Sequence, residues 1–387
     1  MNSSKNKKKT KKQSHMKLVE NGKSERKIRY AVAGLGYIAQ AAVLPAFKHA
    51  KNSELTALIS SDPEKLKKLG KEYNVANLYS AARFSEACRS GTFDAVYIAL
   101  PNNLHHPYTI LAAEAGIHVL CEKPMALNPQ ECEQMIQACE DNGVKLMIAY
   151  RLHFDPANLE AIEIARSGKI GTPKVFSSVF SFTIKDKNNI RLKSELGGGP
   201  VFDLGIYCIN AARHLFQKEP VEVSAVLTST EPEFSEVEEA ATVLLRFPEG
   251  QLAQFICSYG ISDASHFELI GDKGTLCLDP AYEIFDSLEH EITVGEKTKR
   301  KKFPKSDQFA PELVYFSECI LKNRDPEPNG LEGLLDVAIL CAVHESAQRG
   351  RAMELRLPEK KQPGKKLAMR FKPFEKPTLV NAEEPAA

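Results

Sequence analysis

Gly34-Leu-Gly36-Tyr37-Ile38-Ala39 has the form Gly-x-Gly-x-x-Ala, and the chemistry such a run performs is holding the phosphates of a dinucleotide. Gly34 permits a tight turn, Gly36 lets a pyrophosphate approach the backbone, and Ala39 lets the next helix lie close to its strand. Free N–H groups and the positive end of the helix dipole then hold the negative charge, with Tyr37 and Ile38 in the contact turn. A second run carries side-chain chemistry. After Gly197-Gly198-Gly199-Pro200, residues Asp203, Tyr207, Asn210 and His214 follow i, i+4, i+7, i+11 and share one helical face. Leu204, Cys208, Ala211 and Leu215 form the apolar face opposite. Tyr, Asn and His on an otherwise apolar helix differ from the Lys and Glu of a solvated face, so the stripe reads as functional. Asp203 in the first turn is also favoured there by the dipole alone.

Positioning the glycine turn requires a strand before it and a helix after it. Residues 30–33 supply the apolar run, and Ile38, Ala42, Val43, Ala46 and Phe47 supply the helical period. Residues 55–59 read as the next strand of a βαβ unit. An NAD site usually carries a carboxylate at this strand's end for the ribose hydroxyls. Here the chain has Ser60-Ser61-Asp62-Pro63-Glu64-Lys65. Nothing at position 60 repels a 2′-phosphate, Ser60 can donate to it and Lys65 can supply positive charge, which favours NADP over NAD. Ser61 or Asp62 as N-cap, with Pro63 at the first helical position, explains the same residues without any cofactor.

Strands and helices go on alternating: helix 84–89, strand 94–100, a helix to Ala115, strand 118–121, helix 129–142, strand 144–149. The alternation implies an open, doubly wound parallel sheet with helices on both faces. Ligands of such sheets bind beyond the strand C-termini. Gly34, Ser60, Leu100-Pro101-Asn102, Glu122-Lys123 and Tyr150-Arg151 all fall there, with His105 just beyond.

From about Arg151 the pattern changes to a helix over 157–167 and β-rich segments at 174–183, 221–229, 240–247, 251–259, 266–270 and 275–278. Turn signals such as Pro248-Glu-Gly250 separate them and imply a large, mostly antiparallel open sheet. Helices 200–216 and 307–322 are expected to cover one face; the other is a candidate subunit interface. The expected division is a lysine-rich tail over 1–26, a dinucleotide-binding domain over 27–150, an α+β substrate and oligomerisation domain over 151–357, and a mobile tail over 358–387.

A net charge of +1 with 43% apolar and 26% charged residues gives no global drive toward nucleic acid or membrane. Six lysines within residues 1–12 read as a solvated tail with no apolar core of a secretion signal. No run approaches the roughly 18 apolar residues of a membrane span. Nine cysteines, scattered without a Cys-x-x-Cys pair, point to reduced thiols in the cytoplasm, and no metal site is indicated.

Gly34-x-Gly36, Glu122-Lys123-Pro124, Tyr150-Arg151 and Gly-Gly-Gly-Pro-x-x-Asp203-x-Gly-x-Tyr207, in this order, resemble the Gfo/Idh/MocA oxidoreductases, and within them the glucose-fructose oxidoreductase branch. The resemblance spans roughly residues 27–353. It implies an N-terminal Rossmann domain, a C-terminal α+β domain that forms homodimers or homotetramers through its sheet, and hydride transfer between a nicotinamide and a sugar or cyclitol carbon. It places Lys123 beside the nicotinamide and the reacting hydroxyl, and Asp203 in the sugar site. Arg151 and Arg191 match basic positions near that site, and Ser60 and Lys65 match contacts to the 2′-phosphate. Tyr150 and Tyr207 complete the substrate set.

Three departures stand out. The chain has no twin-arginine signal, its lysine-rich start does not resemble the arm that retains the cofactor in that branch, and Asn189-Ile190-Arg191 replaces a tryptophan before the arginine. This protein has no tryptophan at all, so its sugar pocket is expected to differ.

Oxidising an alcohol requires removal of the hydroxyl proton as hydride leaves carbon, and Tyr207 is the candidate acid/base. An unperturbed phenol, with pKa near 10, is a poor base at neutral pH. The Lys123 ammonium would favour its ionised form and stabilise a developing alkoxide, while Asp203 accepts from a second hydroxyl. Two other classes fit the same residues: an NADP(H)-binding sensor or scaffold without turnover, and a transferase or hydrolase using NAD for transient oxidation. Within the oxidoreductases, release of the cofactor at each turnover and its retention between two sugars both stay open.

Overall fold

The computed structural model describes residues 26–358, 369–374 and 376–385; the lysine-rich start lies outside them apart from Arg26. Six strands, β1 (Ile28–Ala33), β2 (Ser53–Ser60), β3 (Asn77–Ser80), β4 (Ala95–Ile98), β5 (His118–Glu122) and β6 (Leu146–Ala149), form one sheet. Their order is β3-β2-β1-β4-β5-β6 and every pair is parallel. The four residues of β4 and of β6 are all buried, which is why these strands read as unbroken apolar runs. The order reverses between β1 and β4, and the crevice at that reversal is where such sheets take a dinucleotide.

The glycine turn leads into a π-helical stretch, Ala39–Val43, and then α1 (Leu44–Ala46). Pro45 has no N–H to give to the preceding turn, so a regular α-helical ladder is not available there. The α2 helix (Pro63–Glu72) is capped by Asp62, which accepts from the N–H groups of Glu64 and Lys65. The α3 (Phe84–Arg89), α4 (Asn102–Glu114) and α5 (Pro129–Asp141) helices complete the crossovers.

The chain then passes through α6 (Pro156–Arg166) and β7 (Pro173–Ser181) to a π-helical turn, Val201–Gly205, that runs into α7 (Ile206–Phe216). A nine-stranded sheet adds β8 (Glu222–Thr228), β9 (Ala240–Arg246), β10 (Leu252–Ser258), β11 (Ala264–Gly271), β12 (Gly274–Leu278), β13 (Leu288–Val294), β14 (Lys297–Phe303) and β15 (Met353–Glu354). Its order is β14-β13-β12-β11-β7-β10-β9-β8-β15, antiparallel except for the β7–β10 pair. A doubly wound parallel sheet followed by a large antiparallel one is the expected fold class.

One assignment needs correction. The helix expected over 307–322 is α8 (Ala310–Leu321), and it covers the first sheet rather than the second. Its Leu313 and Phe316 share a core with Tyr30, Val32 and Leu58. The Ser317 hydroxyl meets Tyr30 Oη and Ser53 Oγ, each at 2.8 Å. The short α1 leaves apolar surface over β1 and β2 that α8 buries. The second sheet is instead backed by α7 and by α9 (Gly330–Arg349), a long helix the sequence reading left unassigned.

The C-terminal segment also differs from a free tail. Val380 is buried among Ala39, Val43 and their neighbours, so residues 369–374 and 376–385 lie on the first layer.

Candidate active site

Lys123 leaves the C-terminal end of β5 and points across to the π-helical turn before α7. Its Nζ donates to Asp203 Oδ1 at 2.8 Å and to the Asp203 carbonyl at 2.9 Å. One turn further, the Tyr207 ring lies under the same ammonium, 4.6 Å from Nζ to the ring centroid. The ammonium and the phenol ring are therefore in direct contact. Asp203 is held from its other side: Arg191 Nε donates to Oδ2 at 2.8 Å and Tyr259 Oη at 2.9 Å.

Charges in this cluster hold one another. Burial alone would lift the Asp203 carboxyl, but Lys123 and Arg191 keep it well below the usual carboxylate range. Burial works against the Lys123 ammonium, yet Asp203, together with Tyr207 and Glu122, outweighs it and raises Lys123 above its ordinary value. Glu122 is pushed up by burial, opposed by Lys123 and by Tyr97 Oη donating at 2.8 Å.

Arg151 departs from the expected contact with cofactor and substrate. The residue is 4% exposed and its guanidinium is spent on protein: Gln308 Oε1, the Tyr282 and Glu283 carbonyls, and Tyr207 Oη at 3.3 Å from Nε. It therefore fixes the phenol. His105 departs too. It is fully buried, with Nδ1 2.8 Å from the Pro124 carbonyl and Nε2 2.9 Å from the Leu100 carbonyl. No ring nitrogen is left for a cofactor; the imidazole ties the β4–α4 turn to the loop bearing Lys123. Asn102 Nδ2 donates to the Gly197 carbonyl at 2.7 Å, linking that turn to the glycine loop before α7.

The glycine turn fits a dinucleotide. Gly34 has φ +91°, and a Cβ there would lie 2.3 Å from the Ala99 carbonyl oxygen, so only glycine is tolerated. A Cβ on Gly36 would meet nothing within 4 Å, which leaves the backbone bare on the side a pyrophosphate approaches. Leu100 and Pro101 are half-buried beside this turn, as are Tyr37 and Ile38. At the end of β2, Ser60 Oγ accepts from Asp62 N at 3.1 Å, which leaves its hydroxyl proton to donate. Lys65 stands in the first turn of α2.

The polar stripe on α7 divides in two. Asp203 and Tyr207 face Lys123, whereas Asn210 donates to Glu332 Oε1 at 2.9 Å and Asp336 Oδ2 at 2.8 Å on α9. His214 Nε2 lies 2.8 Å from the same Glu332 oxygen. His153, His214 and Glu332 are close enough together to hold a metal ion, but Arg213 Nη1 already donates to that oxygen at 2.9 Å and opposes a second cation. A cavity opens along the stripe, walled by Lys123, Tyr150, His153, Tyr207, Asn210 and His214 on its polar side. Sequence reasoning missed Tyr259 and Gln308. Tyr259, immediately after β10, carried a faint signal as a polar aromatic at a strand's end; Gln308, in a loop, carried none.

A doubly wound sheet with a glycine turn after β1 and a lysine and a phenol in contact at the end of β5 is the build of a nicotinamide-dependent oxidoreductase. Residues 28–150 match the model of the oxidoreductase family with an NAD-binding Rossmann fold, and residues 158–277 match the GFO/IDH/MocA C-terminal domain. The chain is 32% identical over 343 residues to D-xylose 1-dehydrogenase [NADP(+)] of Haloarcula marismortui, covering 87% of this chain and 95% of that protein. It is 33% identical over 260 residues to a scyllo-inositol 2-dehydrogenase (NADP(+)) of Bacillus subtilis, covering 65% and 76%. Among solved structures, aldose-aldose oxidoreductase from Caulobacter crescentus, complexed with glycerol, superposes with a TM-score of 0.82 at 38% identity, covering 85% of this chain and all of that one. This chain belongs to the Gfo/Idh/MocA family of oxidoreductases.

Proposed function

We propose that this protein is an NADP-dependent oxidoreductase that transfers hydride between the nicotinamide and a carbon of a sugar or sugar-like polyol. The observation that carries the reading is the meeting of Lys123, Asp203 and Tyr207 at the carboxyl end of β5, with Lys123 and Tyr207 lining one cavity. The missing carboxylate at position 60 and the NADP(+) in the names of two relatives support the choice of cofactor.

Gly34, Gly36, Tyr37 and Ile38 hold the pyrophosphate through the backbone, and Ser60 and Lys65 take the 2′-phosphate. Bound NADP supplies the hydride acceptor, and its reduced form the donor. The remaining chemistry belongs to the chain. Tyr207 Oη takes the proton of the substrate hydroxyl in oxidation and returns it in reduction. Lys123 Nζ stabilises the oxyanion as it forms. Arg151 Nε fixes Tyr207 Oη, while Arg191 and Tyr259 hold Asp203, whose remaining lone pairs accept from a second hydroxyl. Tyr150 closes the cavity wall.

The face of the second sheet that carries Val226, Leu244, Leu252 and Ile256, from 40% to 65% exposed, serves as the interface of a homodimer or homotetramer. All nine cysteines are free thiols, in keeping with a cytoplasmic location. Among the described residues no helix is long and apolar enough to cross a membrane.

A panel of aldoses, ketoses and cyclitols offered with NADP⁺ and read in the reduced-nicotinamide absorbance band tests the reading. A substrate-dependent rise is the expected result. Binding of NADP without turnover on any member would mark a sensor, and a product at the substrate's own oxidation level would mark a transferase or hydrolase.

A further inference from the structure

The C-terminal segment is fastened to the elements that frame the dinucleotide site. It begins at the Phe371 carbonyl, which accepts from Asp307 N at 3.4 Å, and its ring stacks on His49 at 6.0 Å. The Phe374 ring meets Phe285 edge-on at 6.3 Å. Further along, Gln40 reads the main chain of Val380 in both directions: Nε2 donates to its carbonyl at 2.9 Å and Oε1 accepts its N–H at 2.7 Å. The same Nε2 donates to the Leu35 carbonyl, inside the glycine turn, at 2.8 Å. Asn381 Nδ2 donates to Asp62 Oδ2 at 2.9 Å and Glu64 Oε2 at 3.0 Å. Glu384 accepts from Tyr37 Oη at 3.1 Å and from Lys376 Nζ at 2.6 Å, and Lys376 stands 5.5 Å from the Tyr37 ring centroid.

The anchors made by Lys376, Val380, Asn381 and Glu384 fall on two places, the turn Leu35–Tyr37–Gln40 and the β2–α2 turn at Asp62 and Glu64. The first would hold the pyrophosphate and the second adjoins Ser60 and Lys65, which would take the 2′-phosphate. Gln40 shows that the contact is built into the fold. It is 1% exposed inside an otherwise apolar helix, and among the described residues only Val380 supplies a donor to its Oε1. Without the segment that oxygen would be left without the partner that justifies its burial.

We propose that residues 369–374 and 376–385 form an outer wall of the dinucleotide site that must lift before the cofactor can leave, so that this segment sets the rate of NADP(H) exchange. The proposal rests on the NADP reading above. Two variants test it: a chain ending at Ala368, and Asn381→Ala combined with Glu384→Ala. The double variant keeps Phe371, Phe374 and Val380, and with them the packing of the first layer. NADPH release is followed by its fluorescence after addition of a trapping excess of NADP⁺, and retention by cofactor content after gel filtration. Loss of several hydrogen bonds at the wall predicts release at least about tenfold faster in the truncated chain and a smaller increase in the double variant. Release at the parental rate in both variants overturns the proposal. A parent protein that binds no NADPH defeats the cofactor reading itself, which is a separate result.

Discussion

Asp203 gathers Lys123 and Arg191 on its two oxygens, with Tyr259 beside Arg191, and this fixes the charge of the lysine proposed to stabilise the substrate oxyanion. Burial favours neutral Lys123; the Asp203 carboxylate is the first of the groups that oppose it, with Tyr207 and Glu122 adding to its effect. Asp203→Asn therefore lowers the Lys123 pKa, and the alkaline limb of the kcat/KM profile moves to lower pH. Removing one partner from a largely buried ion cluster also costs on the order of 3 kcal/mol of stability. A pH–rate profile and a denaturant melt check both; an unmoved alkaline limb would show that Asp203 does not maintain the ammonium. Asp203, Lys123 and Tyr207 were legible because each is a chemically specific residue at a strand end or on an apolar helix. Arg151 was legible as a basic residue of the site, but its task was not, since its acceptors on 282, 283 and 308 are brought to it only by the folded chain.

The strand–turn–helix at residues 28–46 separates two roles of glycine. Gly34→Ala places a Cβ 2.3 Å from the Ala99 carbonyl oxygen at φ +91°, so the β1–β4 contact must shift and the fold weakens. At Gly36 an added Cβ meets no protein atom within 4 Å, so for Gly36→Val the melting temperature is expected to stay near the parent's while NADP affinity falls. Thermal melts and a nucleotide titration distinguish the two; equal affinity in Gly36→Val and the parent would remove the pyrophosphate from that turn. Five of the six parallel strands were legible as apolar runs, and helix α7 from its opposed stripes; β3, short and at the sheet's edge with no buried residue, was not. The β13–β14 hairpin was not, because Lys297-Thr-Lys-Arg-Lys-Lys302 alternates no apolar residue and reads as a charge run. Helix α9 escaped because it buries residues on several faces, against β8, α5 and α7, which blurs the one-sided period.

At the scale of the whole molecule, two long-range returns of the chain could not be read from local pattern. Helix α8 travels back to cover β1 and β2, and the C-terminal segment travels back to Tyr37, Gln40 and Asp62. Nothing in either stretch names its distant partner, and the Pro- and Lys-rich composition of the second pointed to a tail. The exposed apolar face of β8–β10 belongs to this scale as well. Leu244→Lys introduces a charge in the middle of that face, where Leu244 is 43% exposed, and leaves the core untouched. Light scattering is expected to show an oligomer for the parent and a shift toward monomer for the variant. An unchanged mass would place the interface elsewhere.

The most direct test of the account is single-turnover hydride transfer from an aldose to bound NADP⁺ in Tyr207→Phe. The substitution removes Oη and keeps the ring beneath Lys123. The account predicts a rate lower by at least about a hundredfold, the span usual for loss of a general acid/base, with NADP affinity unchanged. A near-parental rate would contradict the role given to the phenol and, with it, the reading of the site.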